Sequence, residues 1–105
     1  ANGAYSAVVN AYNTSLTMTT ATALSTGRYN LAATTVGDYA LFGGGTTGSS
    51  SNVVDAYNAS LTRSTPTALS TARYQLAATT VGDYALFGGG TTGNSSSVVD
   101  AYTAS

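Results

Sequence analysis

Asp38, Asp55, Asp83 and Asp100 are the only acidic side chains in this 105-residue chain, and Arg28, Arg63 and Arg73 the only basic ones. Two aspartates held at a suitable separation can divide acid and base roles in hydrolysis. Asp38 and Asp83, however, each follow a glycine in "VGD", where a carboxylate commonly bonds to its own backbone in a turn. We read both as turn residues. Histidine and cysteine are absent. The side chain best suited to moving protons near neutral pH is therefore missing. Disulfides, thiolate metal sites and a cysteine nucleophile are excluded as well.

Glycines supply a second candidate. "LFGGGTTG" occurs at Leu41–Gly48 and again at Leu86–Gly93. Gly43, Gly45 and Gly48 satisfy the dinucleotide pattern G-x-G-x-x-G, as do Gly88, Gly90 and Gly93. A dinucleotide loop must open a helix whose first amides bind the pyrophosphate. Here the run leads into "SSSNVVDAY", a polar turn and another strand, and there is no P-loop lysine. The glycines are expected to permit close backbone approach instead.

The elements that position these residues come from a repeat. "VVNAYNTSLT" at Val8 returns as "VVDAYNASLT" at Val53, and "RYNLAATTVGDYALFGGGTTG" from Arg28 returns as "RYQLAATTVGDYALFGGGTTG" from Arg73. Both spacings are 45 residues, and positions 1–45 and 46–90 share 33 identities. Residues 91–105 begin a third copy. A unit of this length relies on its neighbours for burial, and the period suits helical repeats or propeller blades. Thr, Val, Tyr and Gly abound while helix-stabilising charge pairs are lacking, so the choice falls on strands.

Four strands are expected per period: Tyr29–Val36, Asp38–Phe42, Val53–Tyr57 and about Leu61–Leu69. Gly37 would turn the first hairpin. Pro66 places the fourth strand at an edge. Small apolar residues on both faces of the first two strands suit a sheet covered on both sides.

In this order the residues resemble the kelch β-propeller repeat. The matching features are an arginine before the first strand, a hairpin and a Gly-Gly pair closing the second strand (Gly43 with Gly44, Gly88 with Gly89). With them go Tyr39 and Tyr84 ahead of the glycines and Tyr57 and Tyr102 late in the third strand. The tryptophan usual in the fourth strand is replaced by "LTMTTATAL" or "LTRSTPTAL". The resemblance implies an all-β fold of four-stranded antiparallel propeller blades. Residues 1–27 would form a partial blade (strands three and four), 28–72 a complete blade, and 73–105 a partial blade (strands one to three). The phrasing is similar to bacterial or phage kelch-like arrays, which favours a secreted, cell-surface or virion-associated setting.

Two blades' worth of sequence cannot close a ring. The expectation is a homo-oligomer of three or four copies, giving six or eight blades, or a longer parent array. A protein or carbohydrate ligand is a further expected partner. A net charge of −1 gives no footing for nucleic acid, and no apolar run approaches the roughly 20 residues that span a membrane. The copper chemistry of some kelch-like propellers needs histidine, so no cofactor is expected.

Arg28 and Arg73 would ring a central channel or bond to loop carbonyls, and Asp55 and Asp100 would pair with them between blades. An anionic or carbohydrate ligand is the other use for those arginines. Most tyrosines are expected to pack between blades. Thr46, Thr47, Thr91 and Thr92, in the loops after the glycines, join Arg28 and Arg73 as candidate partner-binding residues. A non-catalytic interaction scaffold is the expected function, with carbohydrate or surface recognition as the alternative.

Overall fold

The computed structural model describes residues 6–103, so the outer ends of the 1–27 and 73–105 segments (1–5 and 104–105) lie outside the described residues. The described residues contain nine strands and no helix. They are β1 (Asn10–Tyr12), β2 (Met18–Thr20), β3 (Ala32–Val36), β4 (Tyr39–Gly43), β5 (Val54–Tyr57), β6 (Arg63–Ser64), β7 (Ala77–Val81), β8 (Tyr84–Gly88) and β9 (Val99–Thr103). They form three antiparallel sheets in sequential order: β1-β2, then β3-β4-β5-β6, then β7-β8-β9.

The β3–β4 hairpin turns through Gly37 and Asp38, with Val36 opposite Tyr39. Gly37 has φ 54° and Asp38 has no positive φ, the pattern of a type II′ turn that matches strand twist. The β5–β6 hairpin is built differently. Asn58 Oδ1 accepts from the amides of Ser60 and Thr62, at 2.9 and 3.0 Å, and Asn13 repeats this one period earlier.

Three expected strands come out shorter, the third by a single residue at Val53. The first begins at Ala32 and not at Tyr29, because Asn30 adopts φ 56° and breaks the extended run. Tyr29 instead makes an isolated bridge with Thr46. The fourth is only Arg63–Ser64. Leu61, at φ 63°, still belongs to the turn, and Pro66, which lacks an N–H, lies beyond the strand. The edge position expected for this strand is correct, since β6 pairs only with β5.

The second and third sheets pack face to face. One face of the second sheet, here called its rear face, carries Ala32, Val36, Leu41, Gly43, Val54 and Ala56, all buried. Against it comes the front face of the third sheet, with Ala85 and Phe87 fully buried. These residues form the core, with Leu69 and Leu76 beside them. The Phe87 ring approaches closely at Gly43, where an added Cβ would stand 2.9 Å from Phe87 Cε1. Only a residue without a side chain lets the ring lie flat on that strand.

Past Gly43 the chain leaves β4 through two further glycines before returning as β5 of the same sheet. Gly45 has φ 96°, and a Cβ there would meet Tyr29 O at 2.8 Å. Its amide donates to Arg73 O at 2.8 Å, a bond that ties one repeat to the next. Gly45→Ala combines left-handed strain with a backbone clash and is expected to cost about 1–3 kcal/mol or more. Gly82→Ala, at φ 55° but with nothing within 4 Å, is expected to cost less. Urea denaturation of the two variants tests the ranking.

Candidate functional site

The three arginines, with Asp55 and Asp100, gather where one sheet meets the segment arriving from the previous one. Residues 21–28 run beside the first sheet: Ala21 N donates to Val9 O, Leu24 N to Ala7 O and Arg28 N to Ser6 O. Their side chains and carbonyls, however, engage the second sheet. Arg28 Nη1 donates to Gly44 O (2.6 Å) and Val53 O (2.9 Å), and Nη2 to Asp55 Oδ2 (2.7 Å). Asp55 also accepts from the amide and hydroxyl of Ser25, both at 3.1 Å. Tyr57 donates its hydroxyl to Thr22 O at 2.6 Å, and Arg63 reaches Ala23 O at 2.9 Å. The segment is thus clasped between successive sheets.

The next repeat builds the same clasp. Arg73 N donates to Ser51 O in the loop between β4 and β5, while Arg73 Nη1 reaches Gly89 O and Val98 O and Nη2 reaches Asp100 Oδ2 at 2.7 Å. Ser70 N donates to Asp100, and Tyr102 to Thr67 O. The copies differ in depth. The Arg28–Asp55 side chains are wholly buried, whereas Asp100 keeps 18% of its side chain exposed. Thr65 also donates to Asp55 Oδ1 at 3.5 Å.

Burial pulls the Arg28 guanidinium below its ordinary value, with the Asp55 carboxylate opposing that effect. Burial pushes the Tyr57 and Tyr102 phenols up, and Asp55 and Asp100 add to the shift. These are the effects expected of groups withdrawn from water beside a charge. Among the described residues, every buried side-chain nitrogen and oxygen has a hydrogen-bond partner.

The expected residues therefore separate into two groups. Arg28 and Arg73 bond to loop carbonyls. They are 3% and 0% exposed, each guanidinium being held by those carbonyls and an aspartate. Thr46 is buried as well, its hydroxyl accepting from Gly48 N at 3.0 Å. Thr91 is half-buried and accepts from Gly93 N at 2.9 Å. Thr47 and Thr92 are exposed. They stand in the loops joining the second strand to the third in the second and third sheets, and so lie at the same end of each. Asp38 and Asp83 sit exposed in the hairpin turns. Ser25, Ser70, Thr22 and Thr67 were not singled out from sequence, although their recurrence 45 residues apart, in step with the arginines, was the available signal.

Comparison with known proteins adds the fold alone. No protein-family model matches the chain, and no curated protein does. The solved structure of YjhT is similar, at a TM-score of 0.66 and 18% identity, over 85% of this chain and 32% of its own. The chain thus spans about a third of that structure's length. The likeness agrees with an all-β fold of antiparallel sheets.

Proposed function

We propose that the chain is a kelch-like propeller segment acting as a non-catalytic scaffold, in which each sheet is one blade or part of one. The observation that carries this reading is the repeated clasp. Each arginine is tied by its amide to the loop before one sheet's third strand and by its guanidinium to the next sheet, an arrangement that continues in one direction from unit to unit. Such a linear device stabilises a repeat through its neighbours. The aspartates best placed for chemistry, Asp55 and Asp100, are held by the arginines and take a structural role.

Three copies would supply six blades and four copies eight; further repeats in a longer array would serve the same end. Native mass spectrometry tests the reading. A trimer or tetramer of the 105-residue chain is the expected result, and a folded monomer of 10.4 kDa at all concentrations would overturn self-assembly.

The loop residues Thr47, Gly48 and Ser49, with Thr92, Gly93 and Asn94, are exposed at one end of the sheets. This favours a second reading, recognition of a carbohydrate or a surface protein by a hydroxyl-rich rim. Loops on a rigid scaffold are where binding usually resides. Binding on a glycan array that is lost in Thr47→Ala/Thr92→Ala supports it; an array without signal counts against it.

A further inference from the structure

The packing of the second sheet on the third provides a template for a surface still open. Ala32, Val36, Leu41, Gly43 and Val54 on the rear face of the second sheet are buried by the third. The same residue types recur on the rear face of the third sheet as Ala77, Val81, Leu86, Gly88 and Val99. Val36 is 5% exposed and Val81 59%; Val54 is 0% and Val99 61%. The complementary half recurs too. Phe87, which covers Gly43, has its counterpart in Phe42, which lies half-buried in a groove of about 440 Å³ whose lining includes the apolar Val8, Val9, Leu24 and Leu31 and the polar Asn10 and Arg28.

We infer that this groove receives the third sheet of a second copy of the chain, rear face inward, with Gly88 of one copy seated on Phe42 of the next. The inference rests on the self-assembly reading and assigns it a contact. The occupant is a second copy because the chain already buries the same two surfaces against each other, Gly43 on Phe87. One surface on each copy meets a different surface on the next, so the contact is heterologous and propagates around an axis.

Docking brings β9 to the place held by β1, since each is the third strand of its repeat. Arg73 decides between them. Its buried guanidinium bonds to Asp100 at 2.7 Å, whereas β1 carries the uncharged Asn10 at that position. Replacing β9 by β1 would leave a buried cation without its carboxylate, a costly state. So β9 stays on β8, β1 gives way, and β2 of the receiving copy pairs with β9 as β6 pairs with β5. Met18 then lies opposite Tyr102 and Thr19 opposite Ala101, the register of Arg63 with Tyr57 and Ser64 with Ala56. Thr20 arrives beside the exposed side of Asp100, as Thr65 does beside Asp55.

Gly88→Val tests the docking. In a single copy, a Cβ at Gly88 meets only Val99, at 3.4 Å, so the variant should keep the wild-type circular dichroism. On docking it meets Phe42, and assembly measured by sedimentation should weaken at least tenfold. The second arm uses the absence of cysteine. Phe42→Cys and Gly88→Cys chains, mixed and oxidised, should form a mixed disulfide dimer, whereas Thr47→Cys with Gly88→Cys should not. This arm decides the matter if Gly88→Val does not fold. Assembly of folded Gly88→Val at wild-type strength, or an oligomeric wild type without the 42–88 disulfide, overturns the docking and leaves self-assembly standing. A wild type that remains a folded monomer overturns both.

Discussion

Asp55→Ala is expected to lower the stability of the chain by about 3–5 kcal/mol, the usual cost of removing one member of a buried ion pair. The Asp55 and Arg28 side chains are wholly buried, so the substitution strands a guanidinium in a medium that solvates it poorly. It also removes the acceptor for the Ser25 amide and hydroxyl. A loss of this size is a large part of the 5–15 kcal/mol that typically holds a domain together. Asp100→Ala is expected to cost less, because Asp100 is 18% exposed and water can replace part of what it supplied. Arg28→Met/Asp55→Leu should recover much of the single-variant loss, since a buried pair exchanged for apolar groups is often neutral. Urea midpoints for the four chains check the order; equal losses at Asp55 and Asp100 would count against burial as the cause.

Phe87→Ala should be comparably severe, at about 3–5 kcal/mol. The Phe87 ring is fully buried, lies against Gly43, and meets Tyr102 edge-on at 5.7 Å and 89°. Gly43 cannot move inward to fill the space, because its strand is paired on both sides by β3 and β5. The cavity therefore stays, and its cost adds to the lost transfer energy. Phe42→Ala removes the same side chain from the equivalent site, where the edge contact with Tyr57 is similar, 5.8 Å and 88°. There the ring is only half-buried at the groove, so in a dilute single chain the loss should be markedly smaller. Thermal unfolding of both variants below the assembly concentration measures the difference.

Much of this architecture was legible from local chemistry. The β3–β4 hairpin follows from Gly37, whose positive φ suits the turn at little steric cost. The glycine runs end strands and do not open helices, as the polar turn and strand after them required. Strand ends were less legible. Asn30 and Leu61 take positive φ, a conformation that leucine in particular gives no reason to expect. Asn30 and its counterpart Gln75 share φ 56°, each directly after the residue that bridges to Thr46 or Thr91.

The candidate site shows the same division. Its members and their pairing were readable: two arginines and two aspartates recurring in step, in a chain otherwise nearly free of charge. Their depth was not, because exposure depends on which sheet faces are covered. The same is true of Val54 and Val99, identical in repeat position yet 0% and 61% exposed.

By itself, the sequence determined the 45-residue period, the all-β character, the glycine-bearing turns and the exclusion of histidine and cysteine chemistry, since those follow from residue identity and local backbone preference. Tertiary structure alone decided that the arginines are buried and paired, and that one copy of a repeated apolar face is covered while the next is open. Burial is a property of what packs against a residue, and identical repeats have different neighbours.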